Sequence, residues 1–379
     1  MENQKIRILF LSNHDTCIYN IRLETITAFL DLGYEVIISS PYGSRIEDLK
    51  ELGCSYIETE FDNRGTNVKK DLKLIGHYRK VMREVKPHVV LTYMIKPNIY
   101  GGIAATKENI PFIANITGLG RALENKGIMQ KVTTELYRFA FKKVFCVFFQ
   151  NEENLNFFKQ RKNAIKQSKL LPGSGVNLVK FKPLPYPNPD NISFVFIARI
   201  MKEKGIDQYL DAASYIKEKY PNTIFHVCGS VEDDYKSTLE KYDQEGTIVY
   251  HGRVNDIQGI LKDVHCTIHP TYYPEGMSNV LLESCATARA IITTDRAGCR
   301  EIVDDGENGF ICESKSSADL IAKVELFLSK SYEEKREMGQ KGRNKVEKEF
   351  DRNIVVKAYL EEVSKVITLK RSNSDGKGT

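Results

Sequence analysis

No run of about 18 uncharged apolar residues occurs anywhere in the 379-residue chain, so the sequence offers no candidate for a membrane-spanning helix. The first residues pass directly into the strand-like IRILFLS, without the basic, apolar and small-residue succession of a secretory leader. Eight cysteines lie scattered at 17, 54, 146, 228, 266, 285, 299 and 312, with no C-x-x-C pair. That spacing suggests neither a disulfide framework nor a zinc site, and it fits a reducing cytoplasm in which cysteine serves as a small core residue. Glycine is missing altogether from SNHDTCIYNIR, the segment after the first strand, which removes the dinucleotide-binding fingerprint of an oxidoreductase. No Asp-x-Asp run closes a strand, so nothing calls for a bound divalent metal, and no cofactor is expected.

What is present is a chain too long for one hydrophobic core, with an ordinary 41% of apolar and 28% of charged residues. Short β-branched runs alternate with amphipathic segments. IRILFLS, EVIISS, SYIETE, VVLTYMI, FIANIT, VFCVFFQN and KLLPG read as strands of the first half. ISFVFIAR, TIFHVCGS, TIVYHGR, CTIHPT, AIITTD and GFICES read as strands of the second. Between the first two, NIRLETITAFLDLG has helical periodicity and ends at Gly33, a C-cap. This rhythm predicts two α/β domains, each a parallel sheet covered by helices on both faces. The proline-rich NLVKFKPLPYPNPDN reads as the linker between them, placing the domains at 1–180 and 181–350. A C-terminal helix at 351–368 is expected to pack back on the first domain, followed by a disordered tail at 369–379.

Charge is uneven. Residues 1–180 hold 27 Lys+Arg against 18 Asp+Glu, whereas the remainder holds 28 against 32. Within 121–169 there are 11 basic and 4 acidic side chains, interleaved with Leu136, Tyr137, Phe139, Phe141, Phe145 and Phe148. Such an excess suits an anionic surface, a membrane leaflet or a nucleic acid, as well as a plain solvated helix face.

Two segments carry chemistry. In HPTYYPEGMSNVLLESCATARAIITTD a strand ends in a loop holding Glu275 and Gly276, and a helix starts near Ser278 and Asn279, either of which can cap it. The N–H groups and dipole of such a helix end attract phosphate, and Gly276 lets a ligand approach the backbone. Glu275 and Glu283 can then hydrogen-bond a sugar and a ribose on either side of a diphosphate. In FIARIMKEKGIDQYL, Arg199 and Lys204 follow a strand end, where doubly wound domains bind ligands, and supply cationic partners for the same diphosphate.

PEGMSNVLLE resembles the Glu-x7-Glu motif of family-four glycosyltransferases, the large retaining family with the GT-B fold of two facing Rossmann-like doubly wound domains. FIARIMKEKG is similar to that family's diphosphate motif, and LLPGSGVNLVKFKP to its domain junction. VYHGRVNDI resembles its strand beside the nucleobase, and AGCREIVDDGENGF the loop and strand after the donor site. The resemblance implies that Arg199 and Lys204 contact the donor diphosphate and that Glu275 contacts the transferred sugar. Backbone at Gly276, Met277, Ser278 and Asn279 would hold phosphate and sugar, and Glu283 the ribose. Gly229, Arg253 and Val254 complete the implied donor set, the last two near the base.

In the first half, FLSNHDTCIYNIR, TYMIKPNIYGGIAA and NITGLG resemble a subgroup that extends polyprenyl-diphosphate-linked oligosaccharides in bacterial capsule, O-antigen and glycoprotein assembly. Asn13, His14, Tyr19, Arg22, Lys96, Asn98, Thr117 and Gly118 are the acceptor-side candidates that follow. The histidine with which several family members touch the transferred sugar has no counterpart in TYMIKPN or at Thr117 to Gly120, and His14 is the nearest substitute. The reading is thus a glycosyltransferase taking a nucleotide sugar, with uridine diphosphate as the expected carrier, to a lipid-linked acceptor. It would be peripheral on the inner face of the cell membrane and would bind no nucleic acid. A nucleotide-sugar 2-epimerase of the same fold and a non-catalytic anion- or nucleic-acid-binding protein are the rivals.

Overall fold

The computed structural model describes residues 5–60, 67–124, 126–161, 165–232 and 234–375, the side chains of 121, 371 and 373–375 excepted. The chain divides into two compact units, one formed by 1–174 with 352–379 and the other by 175–351. Every helical and strand pattern read above has its counterpart, with shifted ends.

In the first unit seven parallel strands are ordered β3-β2-β1-β4-β5-β6-β7. They are β1 (Arg7–Leu11), β2 (Glu35–Ser40), β3 (Ser55–Glu58), β4 (Val89–Tyr93), β5 (Phe112–Ile116), β6 (Cys146–Phe149) and β7 (Ser168–Leu170). Alternation along β1 sends Ile8 and Phe10 to one face of the sheet and Leu9 and Leu11 to the other, so both faces need cover. Helices Val68–Val85 and Ile128–Ala140 supply it on the Leu9 side, where Tyr78, Met82, Tyr137 and Phe141 are buried. Helices Asp15–Asp31 and Arg352–Asp375 supply it on the Phe10 side through Ile18, Phe29, Val355 and Tyr359. The last helix continues through Asp375, so most of the tail expected to be disordered is helical, and 376–379 lie outside the described residues.

The second unit has six parallel strands ordered β10-β9-β8-β11-β12-β13. These are β8 (Ile192–Ile197), β9 (Thr223–Cys228), β10 (Val249–Tyr250), β11 (Cys266–His269), β12 (Ala290–Thr294) and β13 (Gly309–Cys312). The proline-rich segment is irregular, but it packs on this unit: Phe181 is buried, and Leu184 N–H donates to Thr287 O at 3.2 Å. The chain passes between units at 174/175 and 351/352, where the sequence placed the boundaries at 180/181 and 350/351.

Arg289 anchors that segment. Its fully buried guanidinium donates to the carbonyls of Leu261 (2.8 Å), Pro185 (2.7 Å), Ala288 (3.2 Å), Leu184 (3.3 Å) and Lys262 (3.4 Å). Burial lowers its pKa to about 10, which still leaves it charged at neutral pH. Arg289→Met would orphan several buried carbonyls at once, and it is expected to destabilise the unit by about 3 kcal/mol, read as an earlier urea-unfolding transition.

Candidate active site

In the second unit the strand order reverses between β8 and β11, and in open parallel sheets ligands bind outside the carboxyl ends at such a point. Arg199 and Lys204 follow β8, and Glu275 to Asn279 follow β11, so the fold brings together the two segments singled out in the sequence. Backbone contacts join them: Tyr272 N–H donates to Glu203 O at 2.9 Å, and the Thr271 hydroxyl donates to the same oxygen at 3.3 Å. Gly205, at φ +81°, makes this approach possible, since a Cβ there would stand 2.1 Å from Pro270 O.

The Lys204 ammonium donates to the Glu275 carboxylate, and both side chains are largely withdrawn from solvent, with 11% and 16% exposure. Burial alone would raise the Glu275 pKa, but the adjacent Lys204 charge holds the carboxyl down at about 2. His269, at the end of β11, is itself buried. Its Nε2 lies 3.9 Å from Glu275 Oε1, and neither ring nitrogen has a hydrogen-bond partner among the described residues. Burial pushes its pKa down, so the ring is held neutral against Glu275. The sequence reading passed over this histidine because an apolar strand end looks like core. The Tyr273 ring, also missed, has the Arg199 and Lys204 charges 5.5 and 5.0 Å from its centroid. Arg199 reaches away to Glu232 at 2.8 Å.

Helix Asn279–Ala286 starts here with Ser278 at its N-cap. The cap is made by backbone conformation alone, since the Ser278 hydroxyl makes no capping bond, contrary to the sequence expectation. Ser278 N–H donates instead to Gly298 O at 2.7 Å. A Cβ on Gly298 would lie 2.7 Å from Gly276 O, so a second glycine sets the height of the Glu275-Gly276 loop. Met277 and Ser278 are buried, and Glu283, one turn into the helix, is half-buried. Gly229, at the end of β9, admits no side chain, because a Cβ would meet Ala198 O at 1.7 Å; its N–H donates to Gly252 O at 2.7 Å. Arg253 is exposed and Val254 half-buried just beyond β10. The implied donor set therefore lies along the carboxyl edge of the strands from β10 to β11.

In the first unit the order reverses between β1 and β4, and Asn13, His14, Lys96, Thr117 and Gly118 follow β1, β4 and β5 at the carboxyl edge. Two acceptor-side candidates are corrected. Arg22 is buried between the rings of Tyr93 and Tyr359, at 5.2 and 5.5 Å, and serves the core. Asn98 is buried too: its carbonyl accepts from the Thr92 hydroxyl at 2.7 Å and its amide donates to Asn115 O at 2.8 Å. Tyr19 stacks under the Arg45 guanidinium at 4.9 Å. Lys96 pairs with Asp71 at 3.1 Å on the wall of a cavity of about 670 Å³, which Glu58, Lys70, Lys73 and His77 also line. Its mixed charges suit a polar, hydroxyl-bearing ligand. Among the described residues no group of three or more His, Cys, Asp or Glu side chains is arranged to hold a metal ion, and no helix is long and apolar enough to cross a membrane.

Comparison with known proteins fits this division. Residues 181–345 match the family described as Glycosyl transferases group 1, and residues 7–151 match Glycosyl transferase 4-like. The N,N'-diacetylbacillosaminyl-diphospho-undecaprenol alpha-1,3-N-acetylgalactosaminyltransferase of Campylobacter jejuni is 27% identical over 96% of this chain and 99% of its own. The UDP-Gal:alpha-D-GlcNAc-diphosphoundecaprenol alpha-1,3-galactosyltransferase of Escherichia coli is 24% identical over 66% of this chain and 68% of its own. Among solved structures, Anabaena HepE in complex with UDP and glucose superposes with a TM-score of 0.78 at 15% identity, over 95% of this chain and 100% of the other.

Proposed function

We propose that the chain is a group 1 glycosyltransferase of GT-B fold, a retaining enzyme that moves a hexose or N-acetylhexosamine from a uridine diphosphate sugar to a polyprenyl-diphosphate-linked saccharide. Capsule, O-antigen or glycoprotein glycan assembly would be its setting, at the inner face of the cell membrane. The observation that carries the reading is the Lys204–Glu275 pair at the reversal point of the second sheet, beside the start of helix Asn279–Ala286. The acceptor assignment is supported by two relatives whose names specify undecaprenol-diphosphate-linked sugars, and the donor by a structural neighbour that holds UDP.

In this scheme the bond between the anomeric carbon and the diphosphate oxygen breaks, and its electron pair leaves with the diphosphate. Lys204, Arg199 and the helix start offset that negative charge, which is electrostatic catalysis by preplaced groups. The acceptor hydroxyl attacks on the face the diphosphate departs from, and its proton passes to a leaving phosphate oxygen. Glu275 orients the sugar hydroxyls and offsets the positive charge growing on the ring. It is not assigned as a covalent nucleophile, because retaining glycosidases use two carboxylates flanking the bond and Glu275 alone is proposed to lie near the anomeric carbon.

Thermal unfolding tests the donor half directly. At a UDP concentration a hundred times its Kd, binding adds about 2.7 kcal/mol to the stability of the folded state. UDP is expected to raise the midpoint equally with and without EDTA, and transfer to a lipid-diphosphate saccharide should survive the chelator. Loss of transfer in EDTA, restored by magnesium or manganese, would count against the metal-free scheme. A 2-epimerised donor released without any acceptor would replace the transferase by an epimerase.

A further inference from the structure

Helix Ile128–Ala140 in the first unit is inside-out. Its polar Thr133 and Thr134 are buried with Tyr137 and Ala140, while Ile128 is 82%, Met129 49%, Val132 49% and Phe139 54% exposed. At about 100° per residue, Ile128, Val132 and Phe139 fall in one narrow sector, and Met129 with half-buried Leu136 widens it to a continuous stripe. The reason is local. Tyr137 and Phe141 already fill the space against Phe158, at 5.1 and 6.2 Å between ring centroids, so no core is left for the other apolar face. Exposed Lys126, Lys131, Lys142 and Lys143 border the stripe.

A second exposed apolar pair, Val68 (70%) and Leu72 (63%), opens helix Val68–Val85, beside the exposed Lys69, Lys70 and Lys73. Both helices follow strands of the sheet and bury their inner sides in one cluster, with residues 102–107 packed between them. Their first turns therefore stand at the same carboxyl edge, the edge that holds Lys96 and its cavity.

We propose that this unit docks on an anionic bilayer by inserting the Ile128, Met129, Val132 and Phe139 stripe between lipid headgroups, with the flanking lysines on the phosphates. The proposal rests on the reading of a lipid-linked acceptor and names the element that meets the lipid. Charge selects lipid over protein as the occupant. Within 121–169 the balance is 11 basic to 4 acidic side chains, and protein interfaces are depleted in lysine, whereas helices that lie in the bilayer interface are rich in it.

The chain contains no tryptophan, so a single introduced indole reports without background. Ile128→Trp and, as a control on an exposed position of the other unit, Tyr215→Trp are mixed with vesicles of phosphatidylglycerol and phosphatidylcholine, some brominated on the acyl chains. The Ile128→Trp emission should shift blue and be quenched at least twofold by brominated lipid, less so at high salt or without phosphatidylglycerol. The Tyr215→Trp emission should not change. Val132→Asp combined with Phe139→Asp should lower vesicle partition at least tenfold while leaving transfer to a water-soluble, short-prenyl acceptor at the parent rate. Absence of quenching in Ile128→Trp overturns the proposal. So does a parent dimer that Val132→Asp/Phe139→Asp converts to monomer with vesicle partition unaltered, which would make the stripe a subunit interface. The short-prenyl assay keeps the two readings apart: no transfer by the parent protein sinks the enzymatic reading, whereas transfer without quenching sinks only the docking element.

Discussion

Glu275→Gln is expected to lower kcat by roughly a thousandfold, about 4 kcal/mol of transition-state stabilisation, without weakening UDP binding, and to cost some thermal stability because Lys204 loses its buried counter-charge. The amide keeps the size and much of the hydrogen bonding of the carboxylate but removes the one negative charge beside the place where the sugar ring becomes positive. Removing an interaction made equally in the ground and transition states would raise KM; removing one made only in the transition state lowers kcat and kcat/KM together. The pH dependence separates the same alternatives. With its pKa held at about 2, Glu275 is ionised in the free protein at neutral and mildly acidic pH. Its depressed value means that the stability it contributes is fully present above the ordinary carboxylate range and is lost progressively as the pH falls from there through about 2. An acid limb near pH 5 or 6 in the kcat/KM profile, which reports the free enzyme, must therefore arise elsewhere, and it should persist in Glu275→Gln on the residual rate. Near-parent turnover in this variant would remove the donor-site assignment altogether.

Much of this site is legible in the sequence because its parts are backbone devices with strict residue requirements. Gly205, at φ +81°, marks a turn too tight for a side chain, and Arg199, Lys204 and Glu275 stand shortly after apolar strands, where a doubly wound sheet exposes its ligand edge. The central strands are readable as β-branched runs, since a parallel sheet buried on both faces demands continuous apolar sequence, whereas the edge strand β7, Ser-Lys-Leu, carries no such signal of its own. What escapes are partners supplied by distant segments. His269 lies within a strand that reads as core, and only the fold shows that its ring sits against Glu275. Arg22 and Asn98 mislead the other way. Each looks like a polar group waiting for a ligand, yet the Tyr93 and Tyr359 rings hold the first, and the Thr92 hydroxyl and Asn115 carbonyl hold the second. Helix Ile128–Ala140 shows the same limit, because amphipathic periodicity does not say which side of a helix the core will take.

Lys204→Met is expected to weaken UDP binding by roughly thirty- to a hundredfold, about 2 to 3 kcal/mol, and to lower kcat/KM by more than that. The sign pattern against Glu275→Gln is the informative part. Before the donor arrives, the Lys204 ammonium is held by the Glu275 carboxylate, so an incoming diphosphate competes with an internal anion for the same cation. Glu275→Gln ends that competition, and UDP should bind as tightly as to the parent or a few times tighter. Lys204→Met removes the cation itself and leaves Glu275 buried without its main counter-charge, which its depressed pKa depends on. That variant should therefore lose some thermal stability, and the loss should shrink in the double variant Lys204→Met/Glu275→Gln, where neither member of the buried pair is left charged and alone. Arg199→Lys keeps the charge but not the planar fork, and since Arg199 is already paired with Glu232 at 2.8 Å, its effect on UDP affinity should be smaller, about three- to tenfold. Calorimetric titration of UDP into the parent and these variants, with unfolding midpoints measured alongside, reads all of these signs. Parent-like UDP affinity in both Lys204→Met and Arg199→Lys would place the diphosphate away from the edge between β8 and β11.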